Sequence, residues 1–522
     1  MTKSILLRAL IAIAILLPSL QCHQQRKSLA TAKSGAAVAK RPAPVEVDVA
    51  ALKLPAMFSD HMVLQREMEV PVWGKATPGQ TVTVEYAGKK VEATADEKGD
   101  WATKLPPLKV GNATSLTITG QTPQKPIVFT DVLVGDVWVC SGQSNMQFEL
   151  KRANNGEAET AKAKFPNMRF FQVARKTSLT PTKEMDGKWD VCTPESAGGF
   201  SAVAYFFGRE LLAKQPEIPI GLIHNSWGGM PVESFMSEEA VKANPDFKPL
   251  LDRKARAATE VVKGPAGKER PENAPQWASN IYNKMVYPLL PYAIKGAIWY
   301  QGESNAGRAE QYRKLFPAMI RDWRAQWKQG DFPFLFVQLA NYGNGKPRAE
   351  QPGDSTWAEL REAQTMTLAA VPKTGMAVIV DVGDNKDIHP KNKQDVGKRL
   401  AIAAQKVAYN KDDAEFSGPI YREMQIDGDK VRIKLDHAKG LKTKDSGAVK
   451  GFQIAGEDKK FAWADAKIDG EDVVVSSDSI KKPAAVRYGW ADDPAVSLYN
   501  AADLPASPFR TDDWPMVTAG KK

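Results

Sequence analysis

Acyl transfer needs a hydroxyl, an imidazole and a few N–H donors, and this sequence offers one such set. Ser144 lies in "SGQSNM", directly after the apolar run "DVLVGDVWVC". A serine hydroxyl is a weak nucleophile at neutral pH and needs a base in hydrogen-bond reach. The chain has five histidines, of which only His224 in "IGLIHNS" and His389 in "DVGDNKDIHPKNKQ" share the patterning around Ser144. His224 sits in or at the end of an apolar strand, where a satisfied near-core imidazole is expected. His389 follows a strand and an acidic loop and is the stronger base. The base needs an orienting acceptor. Asp387, two residues before His389, and Asp384, five before, both qualify; a backbone carbonyl is a third way to hold the ring. Charge developing on a carbonyl oxygen needs donors, each worth about 2.7–4 kcal/mol. The candidates are the Ser144 N–H, a glycine N–H at Gly228 or Gly229 in "HNSWGGM", and the side-chain NH2 of Asn305 in "WYQGESNAG". Each has a plainer reading: a loop glycine pair, a helix cap, aspartates solvating a turn.

These residues share a placement. "VLVGDVWVC", "IPIGLIHNS", "IKGAIWYQ", "FPFLFVQLAN" and "GMAVIVDVGD" are near-continuous apolar runs, as in strands covered on both faces. Helical patterns lie between them, at "SAVAYFFGRELLAKQ" (with Ser201 as a cap), "AEQYRKLFPAMIRDWRAQW" and "DVGKRLAIAAQKVAY". This alternation predicts a parallel α/β sheet with right-handed crossovers over 131–411. Four of the five runs end in candidate chemistry: Ser144, the glycine pair, Glu303 with Asn305, and Asp381 to His389. The carboxyl ends of parallel strands are where such groups gather. Residues 53–130 alternate with period 2 between turns such as "ATPGQ" and "DEKGD", predicting a β-sandwich-like module. Period-2 patterning returns over 412–516, a β-rich C-terminal region that is either separate or packed on the catalytic sheet.

Together, "GQSNM", "SWGGMPVESFM", "AIWYQGESNA" and "DIHPKNKQDVGKRLA" resemble the sialate O-acetylesterase family of the SGNH-hydrolase superfamily, as do "FSDHMVLQREMEVPVWGKATPG" and "YNAADLPASPFRTD". The resemblance runs from about residue 54 to 514. It implies a flavodoxin-like α/β/α hydrolase with β-rich accessory parts, cleaving O-acetyl groups from sugars through a serine acyl-enzyme without metal or cofactor. It assigns Ser144 as nucleophile, His389 as base, Asp387 as its partner, and Gly229 or Gly228 with Asn305 to the oxyanion hole. Where the superfamily often has its aspartate, three residues before the histidine, this chain has Lys386. A G-x-S-x-G elbow is absent, Met146 standing at the second glycine, which argues against an α/β-hydrolase-fold enzyme. The sugar is open: sialic acid, acetylated xylan or another polysaccharide. Arg361 in "WAELREAQ" is a candidate for a sugar carboxylate. Trp227, Trp299 and Tyr300 are either sugar-stacking or core aromatics. Two other function classes compete: a glycosidase using Glu303 and Asp387, whose activity would survive Ser144→Ala, and a non-catalytic carbohydrate-binding surface protein.

Composition is that of a globular protein, 43% hydrophobic and 25% charged. The net charge of +10 suggests an anionic partner until it is located. Half of it lies in residues 1–52, where Lys3, Arg8, Arg26, Lys27, Lys33, Lys40 and Arg41 face only Glu46 and Asp48. No dense basic block remains, so no nucleic-acid partner is expected. The apolar core Leu10–Leu17 behind Lys3 and Arg8 is too short to span a bilayer and reads as a signal peptide over 1–22. Residues 23–52 then form a disordered tether on an exported protein, periplasmic or extracellular. Cys22 opens the alternative of a lipid anchor. Cys140 and Cys192 are either a disulfide or two buried thiols.

Overall fold

The computed structural model describes residues 52–120, 125–260, 273–411 and 415–522. The expected signal peptide and tether lie outside these, Leu52 excepted. A mixed α/β arrangement around one central sheet positions the site. Its strands are β1 (Ile127–Gly142), β2 (Phe165–Gln172), β3 (Trp189–Cys192), β4 (Ile220–Ser226), β5 (Gly296–Tyr300), β6 (Phe334–Val337) and β7 (Thr374–Ala377). Their order is β7-β6-β5-β1-β4-β2-β3. All neighbours are parallel except β3, which runs antiparallel to β2. β4 and β5 are buried at every position, as strands covered on both faces must be.

The helices that matter are α1 (Ser144–Gln147), α2 (Ala202–Lys214), α3 (Ala309–Trp327), α4 (Thr356–Ala370) and α5 (Lys393–Val407). Ser201 caps α2 as expected, accepting from the Ala204 N–H. Trp138 of β1 meets Phe207 of α2 edge-on at 5.0 Å, while Trp299 of β5 packs on Phe316 and Trp323 of α3. Trp138 is in register with Gly296, three residues from Trp299. The period of two therefore puts these two indoles on opposite faces of the sheet. α2 packs with α5 and α3 with α4, so helices cover both faces.

The expected boundary at 130/131 falls inside β1. The first part of this strand pairs antiparallel with Thr114–Thr119, and its second part is the centre of the central sheet. The N-terminal strands alternate buried and exposed positions, as at Val70–Lys75 and Thr81–Tyr86. Their buried Val72, Val84 and Trp101 belong to the same apolar core as the central sheet. The C-terminal region has a second core around Val431, Ile433, Val473 and Val486. It is packed on the part that holds the central sheet. The buried Arg361 guanidinium of α4 donates to the carbonyls of Leu339 and Ala340 and, across the junction, of Ala491 and Asp492. Arg361 is thus a structural clamp and not a receptor for a sugar carboxylate. Cys140 and Cys192 are buried free thiols. They sit on β1 and β3 with β4 and β2 between, and Cys140 is level with Gln172 whereas Cys192 is level with Phe165, so they are more than about 14 Å apart. A disulfide needs Cα atoms within about 7 Å. No helix among the described residues is long and apolar enough to cross a membrane.

Candidate active site

The chain steps from β4 on one side of β1 to β5 on the other, so the crevice at the carboxyl ends of these strands is a topological switch point. Ser144 opens α1 two residues after β1 ends, and its Oγ lies 2.9 Å from His389 Nε2. The loop carrying His389 runs from β7 to α5. His224 is elsewhere: its ring is buried between Gln172 and Ser226, and burial pushes its pKa down to about 3. It is a satisfied core group. Burial also lowers the His389 pKa; Asp387 opposes this, while Lys393 and Arg152 add to it. The imidazole beside Ser144 is consequently neutral near pH 7, the form that accepts a proton.

Asp387 is close to the base without forming a tight pair. Its Oδ1 accepts the His389 backbone N–H at 2.9 Å and lies 3.5 Å from Nδ1, with the side chain half exposed. Asp384 instead accepts from the N–H groups of Lys386 and Asp387, shaping the turn. Asp381 is paired with Arg399 and accepts from Tyr499.

The glycine pair divides its work. The Gly228 N–H donates to Gln147 Oε1 at 2.8 Å, and a Cβ there would stand 3.2 Å from Ser144 Cβ. Gly229 has φ +76°, a conformation glycine adopts freely, and among the described residues nothing accepts from its N–H. The Ser144 N–H is equally unclaimed. Asn305 is wholly buried. Its Oδ1 accepts from the Val232 N–H and from Gln301, and its NH2 donates to Glu233 at 3.0 Å. Asn305 therefore fastens the 230–233 segment beside the glycines. Trp299 and Tyr300 are core aromatics with no exposed surface, whereas Trp227 is partly exposed.

Residues 134–406 match the family described as carbohydrate esterase, sialic acid-specific acetylesterase. Sialate O-acetylesterase of Homo sapiens is 31% identical over 501 residues, covering 87% of this chain and 91% of that one. The Rattus norvegicus sialate O-acetylesterase is 31% identical over 516 residues, covering 87% and 93%. A crystal structure of a carbohydrate acetylesterase from Xanthomonas citri is 40% identical, with a TM-score of 0.79, over 89% of this chain and all of that one. The chain belongs to this acetylesterase family. It is a carboxylic-ester hydrolase acting on O-acetylated sugars.

Two features of the esterase were not visible in its sequence. One is a cleft of about 460 Å³ beside Gly229, lined by Glu233, Arg253, Trp277, Ser304 and Arg308 among others. Arg308 approaches Glu233 at 2.7 Å and Arg253 at 3.7 Å, so two guanidinium groups share one carboxylate and the wall stays positive. The other is a buried polar network behind Ser144, joining Asn145, Glu303 and Lys393. Burial lowers the Lys393 pKa to about 7, against the pull of Glu303 and Asp387. Burial likewise raises the Glu303 pKa. The only signal for the network was adjacency: Asn145 follows Ser144, and Lys393 stands four residues after His389. No metal-binding group of histidine, cysteine and acidic residues occurs among the described residues.

Proposed function

We propose that the enzyme is a serine esterase whose central domain has the flavodoxin-like SGNH-hydrolase architecture, and that it removes O-acetyl groups from an acidic sugar such as sialic acid. The observation that carries this reading is the 2.9 Å contact between Ser144 Oγ and His389 Nε2, made by residues 245 positions apart in the sequence. His389 takes the Ser144 proton as Oγ bonds to the acetyl carbonyl carbon. The N–H groups of Gly229 and Ser144 hold the oxyanion, and the buried Asn305 supports them by fastening the 230–233 segment. The bond between the acetyl carbon and the sugar oxygen breaks, and His389 returns the proton to that oxygen as the sugar leaves. A water, deprotonated by His389, then attacks acetyl-Ser144 and acetate leaves with Ser144 restored. Asp387 biases the imidazole electrostatically.

The positive wall at Arg253 and Arg308 supports a sugar carrying a carboxylate, and Trp277 offers a partly exposed ring for its face. The glycosidase reading has little support, because Glu303 is turned inward onto Asn145, with its second oxygen buried. The basic flank and short apolar run at the N-terminus support export to the periplasm or outside, with Cys22 as a lipid-anchoring alternative; the mass of the mature N-terminus separates the two.

The test is acetate release from acetylated sialic acid, xylan and pectin, with Ser144→Ala as control. Release from the acidic sugar that is abolished by Ser144→Ala is expected. Retained release in that variant, or glycosidic cleavage instead, would overturn the reading.

A further inference from the structure

Asn145 follows the nucleophile, yet it does not face the crevice: only 1% of it is exposed. Its side chain spends every strong hydrogen bond inward. Nδ2 donates to Glu303 Oε1 at 2.6 Å and to the Ile388 carbonyl at 3.0 Å, while Oδ1 accepts from Lys393 Nζ. A backbone carbonyl can only accept, so the Ile388 carbonyl fixes the orientation of the amide and leaves Oδ1 toward Lys393. Lys393 is itself wholly buried, with Nζ 5.0 and 5.1 Å from the ring centres of Phe148 and Tyr300. Ile388 precedes His389, and Lys393 opens α5 four residues after it. Both ends of the segment carrying the base are therefore tied to one side chain, and that side chain is bonded in sequence to Ser144.

We propose that Asn145 is a positioning residue, a latch that holds the His389 segment at its working distance from Ser144, with Lys393 and Glu303 fixing the latch. This rests on the reading of Ser144 and His389 as nucleophile and base. The physical need is clear, because misplacing reacting groups by about 1 Å costs on the order of 100-fold in rate. Latching from behind leaves the crevice free for substrate, so substrate binding is not involved.

Steady-state kinetics on p-nitrophenyl acetate test this with Asn145→Ala, Lys393→Met and the double variant, alongside the rate of Ser144 labelling by a serine-directed phosphonate. Asn145→Ala is expected to lower kcat about 30- to 100-fold with KM changed less than about threefold. Lys393→Met keeps the aliphatic stem between the rings and is expected to lower kcat about tenfold. The double variant should be no worse than Asn145→Ala, because both act through one amide. Labelling should slow in parallel with kcat. A kcat within about threefold of wild type in Asn145→Ala, or full additivity in the double variant, overturns the latch. Should Asn145→Ala not fold, Lys393→Met decides alone by the same threefold criterion. Failure of wild-type Ser144 to be labelled would instead overturn the nucleophile assignment.

Discussion

Replacing Asp387 by asparagine tests how the base is tuned. Asparagine still offers an oxygen to the His389 N–H, so the turn survives and only the charge is lost. At 3.5 Å from Nδ1, a full charge is worth about 1 kcal/mol at the dielectric of water and about 5 at an effective dielectric of 20. The side chain is half exposed, which draws the value toward the lower figure. About 1 kcal/mol is roughly fivefold to tenfold in rate. By contrast, asparagine in place of the buried, hydrogen-bonded aspartate of a full triad costs about 10⁴-fold. Asp387 raises the His389 pKa against burial, so its loss lowers that pKa further. Activity needs the neutral imidazole and disappears as pH falls through its pKa. The acid limb of kcat/KM must therefore move to lower pH, by up to about one unit, while the plateau drops fivefold to tenfold. The assay is the pH dependence of p-nitrophenyl acetate hydrolysis from pH 4 to 9. A loss of 10³-fold or more, or an acid limb that moves upward, would refute the assignment of Asp387 as an electrostatic neighbour.

Further outcomes follow from the same geometry. The wild-type acid limb should lie below the ordinary histidine value near pH 6.5, because burial lowers the His389 pKa; a limb at pH 7 or above contradicts this. Gly228→Ala places a methyl 3.2 Å from Ser144 Cβ and 3.3 Å from Gln147 Oε1. A shift of a few tenths of an ångström should cost about tenfold in kcat with the melting temperature nearly unchanged, measured by kinetics beside calorimetry. Arg361→Leu leaves the carbonyls of Leu339 and Ala491 without their donor and removes one of two donors from those of Ala340 and Asp492. At about 1–3 kcal/mol per unsatisfied buried group, the C-terminal region should loosen, read as faster proteolysis at 415–522 and a lower melting temperature.

Local physics made much of the layout legible in the chain. Apolar runs flanked by helical periodicity specified the strands, and α2, α3 and α5 lie within two residues of their patterns. α4 escaped notice because Glu359, Arg361, Gln364 and Thr367 are buried on it, which erases the polar stripe that periodicity depends on. β1 hid the junction at residue 130 because one strand serves two sheets, and pairing partners leave no mark on a strand's own sequence.

The sequence by itself determined the residue types at the strand ends, and so which groups were available for chemistry. Only the tertiary structure decided which of them meet. It chose His389 over His224, left the Gly229 N–H free while Gln147 takes that of Gly228, and set Asp387 at the rim rather than in a tight pair. Hydrogen bonds span a few ångströms in space, whereas the residues that make them are separated here by up to 248 positions along the chain. That distance is closed by the stacking of parallel strands around β1, a property of the whole sheet and of no single segment.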